Sequence, residues 1–148
     1  MSEIRACCGF GHRDVFENIS DQLYNTLLHL AEQGCETFYT GGMGEFDKLF
    51  SSAVRRIKSM FPDIKLICVK PYMTKDINEY GEYLFTLYDD IIIPTELADV
   101  HYKAVIQKRN QWMIEESDLL VFYVRRKYGG AYLSQCKAQK LQKRIIYI

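Results

Sequence analysis

The chain has 148 residues, 48% of them hydrophobic and 26% charged, with 19 basic and 19 acidic side chains in balance. That length supports one sizeable core and not two, so a single domain over 1–148 is expected, and the composition excludes a disordered tail, a collagen and a coiled coil. With no net charge nothing draws the chain as a whole to polyanions: the balance argues against a nucleic-acid partner, and any such binding has to come from a local patch.

The opening residues MSEIRACCGFGH contain no apolar run of signal-peptide length, and no stretch approaches the roughly 18 apolar residues of a membrane span. A cytoplasmic protein without membrane association is expected. The five cysteines, Cys7, Cys8, Cys35, Cys68 and Cys136, are odd in number and include no C-x-x-C pair. They read as free, mostly buried thiols rather than disulfides or zinc ligands.

In chain order, short apolar runs alternate with segments of helical period. A strand is expected from Ile4 to Cys8. A helix follows from near Asp14 through Ile19, Leu23, Leu27 and Leu30 to Gly34, a residue suited to a helix C-terminus. After a strand from Thr37 to Thr40, Phe46, Leu49, Phe50, Ala53, Val54, Ile57, Met60 and Phe61 recur at spacings of three and four, one continuous apolar stripe that Pro62 stops. A third strand runs from Leu66 to Val69. In the stretch from Tyr72 to Tyr88, Tyr80, Tyr83, Leu84, Leu87 and Tyr88 share a helical face, whereas Met73 to Asn78 reads as a mobile loop. Then come a strand from Asp90 to Ile93, a helix from Tyr102 to Glu116, a strand from Leu119 to Val124, a helix from Gly130 to Lys143 and a strand from Arg144 to Ile148. This alternation is the pattern of an α/β domain: a mostly parallel sheet of five or six strands with helices on both faces.

In such a sheet, ligands bind beyond the carboxyl ends of the strands, where the strand order reverses. Three glycine-bearing loops fall there: Gly9-Phe10-Gly11-His12-Arg13, Gly41-Gly42-Met43-Gly44-Glu45-Phe46-Asp47, and Tyr128-Gly129-Gly130-Ala131-Tyr132. Glycine allows close backbone approach, and the following helix offers unpaired N–H groups to an anion. No Walker lysine follows any of them, which argues against a P-loop NTPase. At the first turn, Arg13 is able to grip a phosphate and His12 to donate to one, or both brace the loop. Asp47 either accepts from a ribose or is simply a first-turn acid favoured by the helix dipole. Arg109 and Asn110 reach a phosphate and a base edge, or lie on an exposed charged face. His29 and His101 have no partners at metal-ligand spacing, so neither a metal nor another cofactor is expected. Lys137, Lys140, Lys143 and Arg144 complement the dipole at the end of the last helix.

Together the stretches CCGFGHR, TGGMGEFD, KRNQWMIEESDLLVFYV and YGGAYLSQCKAQKLQKRIIYI, in this order across nearly the whole chain, resemble the YpsA-like branch of the SLOG superfamily. The resemblance implies a Rossmann-like fold and a nucleotide or nucleotide-derived ligand at the glycine-rich edge. By motif it implicates Gly11, His12 and Arg13; Gly41, Gly42, Met43, Gly44 and Asp47; Arg109 and Asn110; Ser117 and Asp118; and Gly129 and Gly130. One departure is that Gly9-Phe10 stands where Phe-Thr is more usual, so a threonine hydroxyl is missing.

The same superfamily contains LOG phosphoribohydrolases, with P-G-G-x-G-T-x-x-E, and the single-strand-binding DNA-processing protein A group. Here the LOG position reads Thr40-Gly41-Gly42-Met43-Gly44-Glu45-Phe46-Asp47-Lys48, with Lys48 in place of the glutamate. N-glycosidic cleavage needs a carboxylate beside an oxocarbenium-like centre, so Asp47 or Glu45 would be the catalytic group. The leading expectation is therefore binding or sensing of a nucleotide, without assigned enzymatic activity. The alternatives are a nucleotide N-glycosidase acting through Asp47 or Glu45, and a module for single-stranded nucleic acid. The abundance of Tyr and Phe adds the expectation of a homo-oligomer.

Overall fold

The structure, a computed structural model, describes residues 3–148. Its elements are β1 (Ala6–Gly11), α1 (Ser20–Glu32), β2 (Thr37–Thr40), α2 (Gly44–Lys58), β3 (Lys65–Val69), α3 (Lys75–Leu87), β4 (Asp90–Ile92), α4 (Val105–Glu116), β5 (Leu119–Tyr123), α5 (Gly130–Lys140) and β6 (Arg144–Tyr147). A short 3-10 turn at Thr95–Leu97 precedes α4. The six strands form one sheet in the order β4-β3-β2-β1-β5-β6, and every pairing is parallel.

Alternation along the central strands divides the core into two layers. In β5, Leu119, Val121 and Tyr123 pack with α1 and α2 in one cluster, whereas Leu120 and Phe122 face Met113 and Ile114 of α4 and Ala138 of α5 in the other. Helices thus cover both faces, as the sequence pattern requires for strands that are apolar on both sides. The stripe in α2 buries Phe46, Phe50, Val54 and Ile57 completely, each stabilising by about 1.5–3 kcal/mol relative to exposure. Cys7, Cys8, Cys35 and Cys68 are buried free thiols, and Cys136 is partly exposed.

Besides shifts of one to three residues at the ends of other elements, such as α4 beginning at Val105 and α5 ending at Lys140, three boundaries differ from the sequence reading for reasons the contacts show. β1 continues to Gly11, because the rings of Phe46 and Phe50 press on it where Gly9 and Gly11 have no side chain. A Cβ on Gly11 would lie 2.2 Å from Phe46 Cγ, and one on Gly9 2.6 Å from the Phe50 ring. Secondly, α1 begins at Ser20 rather than near Asp14. The segment before it is held in a loop by Glu17, whose carboxylate accepts from Tyr123 Oη and Arg125 Nε at 2.6 Å each. Thirdly, α3 starts at Lys75 and so takes in most of the expected loop; it is kinked at Tyr80 and buries none of its residues.

The strand order reverses between β1, whose other neighbour is β2, and β5, which leads on to β6. The crevice for a ligand therefore opens above Gly11 and Tyr123, which are register partners at the carboxyl ends of these strands.

Replacing Gly11 by Ala places a methyl group inside van der Waals contact with Phe46, at a ring that cannot retreat from the core. Gly11→Ala is expected to lower stability by roughly 1–3 kcal/mol, the usual cost of overpacking. In urea melts the midpoint falls and the slope is unchanged; an unaltered midpoint would show that Phe46 has room to move.

Candidate functional site

A cleft of about 280 Å³ lies at this switch point, lined from the ends of β1 and β2 and from α2, α4 and the start of α5. It gathers Gly11, His12, Arg13, Gly41, Met43, Asp47, Arg109, Asn110 and Gly130 from the residues singled out in the sequence. Phe10, Ile106, Arg126 and Ala131 complete the wall. Arg126 was not singled out, although its signal was present: the basic run Arg125-Arg126-Lys127 is separated from the glycine pair by Tyr128 alone.

Arg109 is buried at 3% exposure. Its Nη1 donates to the carbonyl of Val69 at 2.7 Å and to that of Gly41 at 3.4 Å, and its Nε donates to Asn110 Oδ1 at 2.8 Å. The guanidinium lies flat against Gly41, where a Cβ would come within 3.2 Å of Cζ. Burial lowers its pKa from the ordinary arginine value, with the Asp47 charge acting the other way. Arg13 and Arg126 are exposed, and Arg126 lies over the Tyr128 ring at 4.9 Å. None of the three arginines forms an ion pair among the described residues, whereas Arg5 and Arg125, outside the cleft, are paired with Glu3 and Glu17.

Asp47 is the one carboxylate among the described lining residues. Its Oδ2 accepts from Met43 N–H at 2.9 Å, closing the first turn of α2 back on its cap. Burial pushes its pKa up to about 6, opposed by that hydrogen bond and by Arg109. Its charge is thus weakly held at neutral pH, and the cleft is net cationic.

His12 is a brace. Its Nε2 accepts from Arg125 N–H at 2.8 Å, which puts the ring proton on Nδ1 and ties the loop after β1 to the loop after β5. Burial lowers its pKa, with Arg126 and Arg125 adding to the effect, so the ring is neutral at pH 7. Donation to a phosphate from Nε2 is excluded in this arrangement.

The loop after β2 differs from the expected phosphate cradle, because four of its N–H groups are already used. Gly42 donates to Thr40 Oγ1, Met43 to Asp47, and Glu45 and Phe46 to the carbonyls of Arg13 and His12. Gly42 and Gly44 do not line the cleft. Both have positive φ, and Gly44 lets the Arg13 backbone approach, with a Cβ 2.8 Å from Arg13 Cα. At α5 the donors are open: Gly129 caps the helix at φ 92°, a conformation that favours glycine. The N–H groups of the first turn behind it have no partner within the helix.

Three further candidates are corrected. Glu45 directs its carboxylate to Val15 N–H at 3.1 Å and is not in the cleft wall. Ser117 and Asp118 lie at the amino end of β5, the opposite edge of the sheet. There Ser117 Oγ donates to the Met113 carbonyl, and Asp118 accepts from the N–H groups of Arg5 and Ala6. At about 3.3 Å per residue, Asp118 is separated from Tyr123 by roughly 16 Å. Their dipeptide is a strand-entry device, which a motif match does not distinguish from a ligand contact.

An all-parallel sheet with an arginine-lined crevice at its switch point defines the class as a Rossmann-like α/β domain. The sequence model of the YspA SLOG family, YpsA, matches residues 10–147, and the chain belongs to that family. No curated protein matches the sequence. Among solved structures, the DNA processing protein A of Helicobacter pylori is similar, with a TM-score of 0.69 at 19% identity over 98% of this chain. That of Streptococcus pneumoniae is similar with a TM-score of 0.70 at 11% identity over 97%. The chain spans 65% of the first of these proteins and 50% of the second. The Helicobacter protein binds single-stranded DNA, and this overturns the expectation against a nucleic-acid partner. Net charge averages over the surface, so a balanced total does not reveal three arginines gathered in one cleft. No helix among the described residues is long and apolar enough to cross a membrane.

The raised pKa of Asp47 gives a pH signature. Between the ordinary 3.8 and about 6 the folded protein binds a proton that the unfolded chain does not, so this group's contribution to stability is lost as pH rises through about 6. Asp47→Asn retains an acceptor for Met43 and removes the buried charge. It is expected to match the parent near pH 3.5, below both values, and to exceed it by on the order of 1 kcal/mol near pH 8. Urea midpoints that coincide at both pH values would refute the assignment.

Proposed function

We infer that the cleft binds the phosphate of a nucleotide unit, and that single-stranded nucleic acid is the ligand that presents it. The observation that carries this is the set of three arginines, Arg13, Arg109 and Arg126, lining the switch point, none in an ion pair among the described residues and with Asp47 the one carboxylate beside them. An excess of cationic over anionic side chains in a cleft is stabilised when an anion arrives. Arg126 and the α5 N-terminus supply donors from one wall, Arg13 supplies a mobile guanidinium from the other, and Arg109 sets the potential from below. The likeness to a fold that binds single strands in the Helicobacter protein supports a strand as the source.

A free nucleotide with subsequent loss of its base is the second reading, favoured by Asp47. Its carboxylate sits in the cleft with a pKa near 6, a range in which one group serves as acid or as charge stabiliser. Glu45 is withdrawn from that role by its bond to Val15. Release of free base from a nucleoside monophosphate, lost in Asp47→Asn, would establish this reading.

Labelled oligothymidylate is expected to bind with an affinity that falls as salt rises. In Arg126→Ala the slope of log affinity against log salt is expected to decrease by about 0.7, the value for one lost phosphate contact on a single strand. Arg13→Ala acts likewise. Binding insensitive to salt, or a slope unchanged in both variants, would remove the cleft from consideration.

A further inference from the structure

A second cavity, of about 520 Å³, opens on the same edge of the sheet, beyond β3 and β4. Pro71, Tyr72, Pro94, Leu97, Tyr102 and Val105 form most of its wall, and none of its described lining residues is charged. Tyr72 is 51% and Tyr102 71% exposed, so aromatic surface stands in water at its rim.

The two cavities flank the start of α4. Val105 lines the apolar one and Ile106, the next residue, lines the arginine cleft. Arg109 Nη1 is bonded to the Val69 carbonyl, and Pro71, in the apolar wall, is two residues further on, a chain distance of at most about 7 Å. The arginine cleft, at about 280 Å³, falls below the roughly 300–1,000 Å³ of pockets that enclose a whole small ligand. Its arginines offer partners to a phosphate, and its described wall has no exposed aromatic ring to take a base. The other neighbouring groove, between α4 and α5, shares Asn110 and Gly130 with the cleft and has Lys108 and Lys137 beside Ala104, Ile114 and Leu133, but no aromatic ring among its described lining residues.

We propose that the Tyr72–Tyr102 cavity is the base subsite of this protein, stacking the nucleobase of the unit whose phosphate occupies the arginine cleft. The proposal rests on the cleft holding a nucleotidyl phosphate. Two tyrosine faces and two proline rings give planar contact without charge, and stacking of this kind accepts any base. Thr95, the one aliphatic hydroxyl in the described wall, already donates to Glu96 at 3.0 Å. The ring belongs either to a strand or to a free mononucleotide, and both present the same face.

The test measures binding of the full chain to two pairs of ligands. One pair is labelled oligothymidylate and an abasic oligomer of equal length; the other is adenosine 5′-monophosphate and ribose 5-phosphate. The base-bearing member of at least one pair is expected to bind roughly ten-fold more tightly, and the pair that shows the preference identifies the source of the ring. In the double variant Tyr72→Ala, Tyr102→Ala that preference disappears while affinity for the baseless member is unchanged; Tyr102→Phe retains it. Both side chains are exposed, and an unchanged thermal midpoint verifies that the fold persists. Equal binding with and without the base, or a preference that survives in the double variant, would overturn the base subsite and leave the phosphate cleft standing. Failure of all four ligands to bind would overturn the cleft reading and the subsite with it.

Discussion

A buried guanidinium organises the carboxyl edge of this sheet. Arg109 reaches from α4 to the Val69 carbonyl at the end of β3 and to the Gly41 carbonyl just beyond β2. It fits because Gly41 has no side chain to fend it off. Withdrawing that charge from water is costly, and carbonyl dipoles, Asn110 Oδ1 and the nearby Asp47 offset the cost. One contact thereby joins two strand ends and a helix, sets the floor of the cleft and fixes the potential in which Asp47 titrates. The other cleft arginines are held less tightly, as suits groups that meet a ligand.

The layered architecture was legible in the sequence because both of its signals are strong. Strands apolar on both faces and an eight-residue stripe at helical spacing admit few arrangements, and all six strands appear near their expected places. The errors lie where tertiary contacts override local pattern. Gly9 and Gly11 look like turn residues by composition, but they are strand residues under the rings of Phe46 and Phe50. The loop before α1 has helical spacing at Val15 and Ile19, yet Glu17 ties it across to Tyr123 and Arg125.

The site was legible in part, and for the same reason. Motif order located the edge of the sheet, and Arg13, Asp47, Arg109 and Gly130 meet there. What sequence does not display is how a hydrogen-bonding group is spent. His12 is used by Arg125, Glu45 by Val15, and the donors of the 42–46 stretch by their own surroundings. Nor does it display pairing: 19 positive and 19 negative side chains sum to zero whether or not three arginines share one crevice with a single carboxylate. Arg126 became visible only through that imbalance.

The lack of buried residues in α3 bears on how the molecule exchanges its amide hydrogens. A helix of 13 residues that contributes nothing to either core cluster is near the length at which isolated helices are marginal. It is attached by the Lys70–Asp76 ion pair and by Arg55 donating to the Leu87 carbonyl. Its hydrogen bonds therefore open in local fluctuations that leave the sheet intact, while the amides of β1 and β5 exchange only with global unfolding. The chain thus has two levels of cooperativity, and a substitution confined to the solvent face of α3 changes the lower one without moving the melting of the core.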